Sequence, residues 1–358
     1  MKSRIYLDHA ATTPVGMAAR AAMVAALDMI GNPASVHTGG RAANAVLEGA
    51  RDAVARFAGA APEQIIFTSG GTEALGLALH GVRGPARVLA GATEHSAVLG
   101  ARDDIELLPV DASGTIDLAA LEAALAGGPA LVAVQAGNNE TGVLQPLAEV
   151  AALVHRHGGL LLADCVQSAG KLALPAADFI ALSAHKLGGP PGVGALIVRD
   201  PDTLQAVQRG GQERGFRGGT PNLPGIAGFG AAVGEQQDWA EVAARRAAME
   251  AALVAAGAVI HGQAAPRLPH ISSIGLAGVP AATQVMLLDL DGIMVSAGAA
   301  CSSGKVKASH VLGAMGLGAA AGEAIRVSLS PATSAADIAA FTAAWLAMAA
   351  RLGRKTGA

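Results

Sequence analysis

The chain has 358 residues, 52% of them hydrophobic and 15% charged, with 47 glycines and a formal net charge of −3. That length allows one large domain or two moderate ones with ample core, and so little charge argues against a disordered or fibrous chain. The mild acidity offers no reason to expect nucleic acid as a partner, and two cysteines, Cys165 and Cys301, cannot build a disulfide framework.

Taken in chain order, the opening MKSRIYLDHAATTP lacks the apolar core of a signal peptide. Residues 18–30 and 41–57 read as helices, rich in Ala with spaced Leu, Val and Met. Short apolar runs at 64–68, 87–90, 130–135, 160–163, 179–182 and 194–198 read as strands. Most lack alternation, as expected for strands buried on both faces, and helices between them imply a mainly parallel α/β sheet. Residues 235–256 form a long helical stretch leading to a second unit, with strand-like runs at 271–276 and 325–329. The spacing Ser334-x-x-Asp337 opens a last helix, whose apolar run 338–350 is too short to span a bilayer. These features predict a cytoplasmic protein without a membrane partner. His155 and His157 have no further ligands in view, so no metal site is expected.

The chemistry-bearing residues gather at predicted strand ends, where open parallel sheets bind ligands. Ser69-Gly70-Gly71-Thr72 follows the first strand, and glycines baring amides at a helix N-terminus form an anion cradle. Thr93-Glu94-His95, Asn138-Asn139-Glu140, Asp164-Cys165-Val166-Gln167 and Ser183-Ala184-His185-Lys186 follow the next four. Any one of these is weak, since a lone Asp at a strand end is usually a helix cap and a lone Lys a surface charge. Together they supply a phosphate cup, an imidazole, a carboxylate and an amine to one crevice. That inventory suits pyridoxal 5'-phosphate, which needs an amine for a Schiff base and a carboxylate against its ring nitrogen.

The motifs YLDHAATTP (6–14), GNPAS (31–35), FTSGGTEA, TEHSAVL, NNETG, DCVQ, LSAHKLGGP, GGQERGFRGGT, the Cys301 loop and IRVSL (325–329) run in order along nearly the whole chain. As a set they resemble the cysteine desulfurases, pyridoxal phosphate enzymes of the class V aminotransferase-like group. The resemblance implies an α/β fold, the PLP-dependent transferase fold of type I. A large domain would span 14–257, and residues 1–13 with 258–358 would form a smaller α/β domain. Lys186 would carry the cofactor, Asp164 would pair with the ring nitrogen, Gln167 would reach the ring hydroxyl oxygen, and His95 would stack on the ring and, as a catalytic residue, help move protons. Gly71, Thr72, Ser183 and His185 would hold the phosphate. Thr220 would add a phosphate contact from a neighbouring subunit, which implies a homodimer. Asn139, also beside the cofactor, and Arg326 would receive the substrate carboxylate, with Asn32 a further candidate.

By the same resemblance, L-cysteine would be converted to L-alanine. Lys186 would remove the α-proton, and Cys301 would take the sulfur as a persulfide for an acceptor protein such as an iron–sulfur scaffold or a sulfur carrier. The chain departs from the family pattern at Pro190-Pro191, in RGGT, and at Cys165, a position more often alanine and read as a small buried filler. None of these removes a group that the chemistry requires. Another class V enzyme, a selenocysteine lyase or an aminotransferase, shares the cofactor motifs, and only Cys301 with its loop favours desulfuration. Gly298 to Lys305 looks like a phosphate-binding P-loop, but Val306 follows Lys305 where a hydroxyl is needed for Mg²⁺.

Overall fold

A computed structural model describes residues 4–235, 237–298 and 308–353. Its main sheet orders seven strands as Ile65–Thr68, Gly194–Val198, Phe179–Ser183, Leu160–Asp164, Ala130–Gln135, Arg87–Gly91 and Glu106–Leu108. Neighbours from Phe179–Ser183 to Glu106–Leu108 are parallel, whereas Gly194–Val198 runs antiparallel to both of its partners. The strand Ile65–Thr68 therefore points the same way as Phe179–Ser183. All five strands that carry polar motifs end along one edge.

The absence of alternation has the expected cause. In Ala130–Gln135, Val132 and Val134 enter one apolar cluster while Leu131 and Ala133 enter another, so both faces of the sheet are covered. The strand Glu106–Leu108 has no comparable signature in the sequence. Two of its three residues are exposed, as suits an edge.

The helix Thr38–Ala58 buries Ala43, Leu47, Ala50 and Val54 at helical spacing. His37 Nδ1 accepts the Gly40 amide at its start, and Gly59 ends it at φ +61°, a conformation that a side chain would oppose.

A three-stranded antiparallel sheet of Val259–His261, Ile271–Gly275 and Ala324–Ser328 forms a second layer. The N-terminal strand Ile5–Tyr6 pairs in parallel with Ile293–Met294, and Leu7 lies in the same apolar cluster as Ile274, Ile325 and Val327. The helix Trp239–Val254, which the sequence places at the end of the first unit, also sends Val242, Met249 and Leu253 into that second cluster.

The last helix, Ala335–Gly353, exceeds the apolar run visible in the sequence, and its length and hydropathy would allow a membrane crossing. It instead buries a stripe of Phe341, Trp345 and Met348 in the second core. Ser334 and Asp337 form its cap reciprocally: the Asp337 amide donates to Ser334 Oγ, and Asp337 Oδ2 accepts from the Ser334 amide.

Candidate active site

Five sheet-edge loops, the N-terminal segment and the second unit enclose a cavity of about 490 Å³. Gly71, Thr72, His95, Asn139, Asp164, Gln167, Ser183, His185, Lys186 and Arg326 all line it, so most residues singled out in the sequence converge.

At one end, Gly71 opens the helix Gly71–Gly81, whose first internal amide bond runs from Ala74 to Gly70. The earlier amides are the ones a helix leaves without internal acceptors. A Cβ on Gly71 would lie 2.6 Å from Val166 Cγ2, so only glycine lets the chain approach Val166 and Ser183 this closely. His185 Nδ1 is 3.2 Å from Thr12 Oγ1, and its ring is pushed down to about 4 by burial and by Lys186, which leaves it neutral.

Deeper in the cavity, Asp164 ends its strand with Oδ1 accepting the Val166 amide at 2.9 Å. Burial raises this carboxyl to about 6, against the pull of the Val166 amide and Lys186. A cationic group placed against it would return it to the ionised form. Gln167 donates through Nε2 to Ala10 O at 2.9 Å, while its buried Oε1 has no partner among the described residues.

The Lys186 amine donates to the carbonyls of Ala10 and Ala11, the latter at 2.6 Å. Burial and then Arg326 lower it to about 8, with Asp8 and Asp164 opposing. An amine is nucleophilic only when neutral, so this shift brings Lys186 into the working range. In protein stripped of cofactor, acetylation of Lys186 should therefore climb as pH rises to about 8 and level off above it. Peptide-resolved mass spectrometry would follow it, and a rise confined to the region above pH ~10, the ordinary lysine value, would contradict the shift.

His95 accepts the Ala97 amide through Nδ1 at 3.1 Å, which puts any proton of the neutral ring on Nε2. Its pKa is lowered by burial, Lys186 and His310, with Glu140 opposing.

The second unit supplies Arg326 from the strand Ala324–Ser328. Its guanidinium is 5% exposed and donates to Asp8 Oδ1 at 2.7 Å and to Asn139 O at 3.1 Å, leaving a buried Nε without a partner among the described residues. Asn138 turns the preceding loop by accepting the amides of Glu140 and Thr141, which leaves Asn139 to face the cavity. The site thus presents a fixed cation and an amide for a small carboxylate.

Two expected residues lie elsewhere. Asn32 is exposed, and its Oδ1 accepts the Ala34 amide in a separate hollow beside Glu48 and Arg51. Within one chain Asn32 therefore does not line the cavity that holds Lys186 and Arg326, and a local turn takes its Oδ1. Thr220 is also exposed and lines a different hollow with Arg217 and Asn222. Its loop is pinned by Glu213, whose carboxylate is held bidentately by buried Arg51 at 2.8 and 2.9 Å. Cys301 lies outside the described residues.

No sequence pattern assigns a role to Asp8, Glu140, His310 or the carbonyls of Ala10 and Ala11. Asp8 and Glu140 stand inside the family motifs, and that is their only signal. Nothing in the sequence marks His310, which reaches the cavity only through tertiary packing.

The aminotransferase class-V family matches residues 5–341. A cysteine desulfurase of Cereibacter sphaeroides is 42% identical over 94% of this chain and 93% of its own. The crystal structure of a NifS-like protein from Rickettsia africae superposes with a TM-score of 0.87 at 30% identity, covering 96% of this chain and 98% of that one. A structure described as SspA in complex with cysteine gives 0.81 at 29% identity, over 92% and 100%. Strand order, cavity and overall likeness agree: this chain belongs to the class-V aminotransferase family, in its cysteine desulfurase branch.

Proposed function

We propose that the cavity desulfurates L-cysteine with pyridoxal 5'-phosphate as cofactor, giving L-alanine and a persulfide on Cys301. The observation that carries this reading is the convergence of Lys186, Asp164, His95 and Arg326 on one cavity. The family is pyridoxal phosphate-dependent, and the residues fit the group. Lys186 offers an amine, Asp164 a buried carboxyl with no direct ion-pair partner among the described residues, Gln167 Oε1 an acceptor equally unpartnered among them, and Gly71 with Thr72 a helix start for phosphate. When bound, the cofactor withdraws electrons from the substrate Cα.

The remaining steps belong to the chain. Arg326 and Asn139 hold the substrate carboxylate and so orient the Cα–H bond. Lys186, lowered to about 8 and so able to reach its neutral form far more readily than an ordinary lysine, removes that proton. The Cys301 thiolate attacks the substrate sulfur, and the Cβ–S bond breaks with its electron pair remaining on carbon. The three-carbon fragment gains protons and leaves as L-alanine, while the sulfur stays on Cys301. Cysteine plus thiol thus gives alanine plus persulfide, with no external oxidant.

Three further features of the reading are supported by particular observations. The complex of a structural relative with cysteine supports the substrate. Thr220, exposed on a firmly anchored loop outside its own cavity, supports a homodimer in which it serves the partner's phosphate site. A persulfide on Cys301 must be discharged before the next turnover, a task suited to an acceptor protein such as an iron–sulfur scaffold or a sulfur carrier.

Incubation with L-cysteine tests the reading. Equal amounts of alanine and sulfide equivalents are expected, with the added sulfur mapped to Cys301 and the protein eluting as a dimer on sizing. Turnover that required a keto acid would overturn the reading in favour of an aminotransferase, and turnover of selenocysteine alone in favour of a selenocysteine lyase.

A further inference from the structure

Glu140 is a cavity residue that none of the steps above uses. It is 3% exposed, and its backbone is fixed by the bond from its amide to Asn138 Oδ1. One of its oxygens, Oε2, meets two points of the chain that flank Cys301 in sequence.

On one side is Ser309. Its hydroxyl accepts the Leu312 amide at 3.0 Å as the cap of a short helix, so its single proton is free to donate to Glu140 Oε2, at 2.5 Å. On the other side is Gly298, at φ +75°. A Cβ there would stand 2.9 Å from the same Oε2, so the backbone runs directly beside the carboxylate. The approach to Gly298 is itself fixed, because Ser296 exchanges two backbone bonds with Arg326 at 3.1 and 2.7 Å. The departure beyond Ser309 is fixed too, through the Ser309 amide on Ala321 O and His310 Nε2 against Glu94 O at 2.9 Å. Residues 299–307 lie outside the described structure, but Gly298 before them and Ser309 after them meet at one buried carboxylate.

We infer that Glu140 is a positioning residue for sulfur transfer: from the loop that carries Asn139, it holds one stem of the segment that carries Cys301 through the Ser309 hydroxyl and packs directly against the other stem at Gly298. Cysteine binding and α-proton removal use Lys186, Arg326 and Asn139, whereas delivery of the thiol depends on the stems. This division rests on the function proposed above. A merely structural carboxylate would affect both halves alike.

The test uses the full-length enzyme and a readout independent of its chemistry. Lys305 and Lys307 are tryptic sites within the segment. In Glu140→Ala and in Ser309→Ala, trypsin should cut there roughly tenfold faster than in wild type, the scale expected for losing one charge-assisted hydrogen bond. Glu140→Gln keeps an acceptor for the Ser309 hydroxyl and should stay within about threefold. Gly298→Ala, which pushes a methyl against Oε2, should reproduce the faster cutting even if Glu140→Ala proves too unstable to purify.

In the same alanine variants, persulfide formation on Cys301 should fall roughly tenfold. Exchange of the L-alanine α-proton with deuterium, which needs Lys186 but no thiol, should fall less than about threefold. Unchanged cleavage would overturn the inference, as would a parallel loss of exchange and persulfide. Wild-type protein that formed no persulfide, with the cleavage contrast intact, would leave the anchoring standing and remove the desulfurase reading.

Discussion

Replacing Lys186 with alanine should lower kcat/KM for alanine formation by about 10⁴-fold, the upper range for removing a positioned general base. On a free-energy scale this is about 5.5 kcal/mol of transition-state stabilisation. Its amine is shifted toward neutrality by burial and by Arg326, and no other side-chain amine lines the cavity among the described residues. The imidazole of His95 cannot substitute as the cofactor's covalent partner. The fold should survive, because the short turn Ala184–Lys186 is held by backbone bonds from Leu187 to Ala184 and from Thr13 to His185. The expected picture is a folded protein that has lost its lysine-linked visible band. Retention of more than a tenth of wild-type turnover would remove Lys186 from its role.

Cys301→Ala should abolish protein-bound persulfide and reduce alanine formation by more than about 10³-fold. A held thiol acts at an effective concentration that millimolar free thiol does not approach. Cys165, the other thiol, is fully buried in the large core, and burial together with Asp164 drives its pKa upward. A thiol of that kind is neither reachable nor ionised. Cys165→Ala should accordingly retain persulfide formation, and sulfur mapped to Cys165 would reverse the assignment of both cysteines.

The parallel sheet and its chemistry are legible in the sequence because each depends on local order. A strand covered on both faces must be continuously apolar, as Leu160–Asp164 and Phe179–Ser183 are. A residue that faces the crevice beyond a strand must then stand at the strand's end or just after it, as Asp164, His95 and Lys186 do. The strand Glu106–Leu108 leaves no such mark, because an edge strand with two exposed residues needs no apolar run. The affiliation of the helix Trp239–Val254 is equally invisible. Its apolar face states that it is buried, not against which core.

By itself the sequence determined the mainly parallel α/β class and the polar strand ends through order along the chain, and it pointed to the candidate nucleophile through resemblance to a family. Only the tertiary structure decided what each side chain answers to. It placed Asp8 against Arg326, set the carbonyls of Ala10 and Ala11 on the Lys186 amine, and moved Asn32 away from the cavity. It also brought Gly298 and Ser309 to a single oxygen of Glu140. These are contacts between residues far apart in the chain. Distance in space, not order in sequence, sets the hydrogen bonds and local fields that shift a pKa or hold a loop.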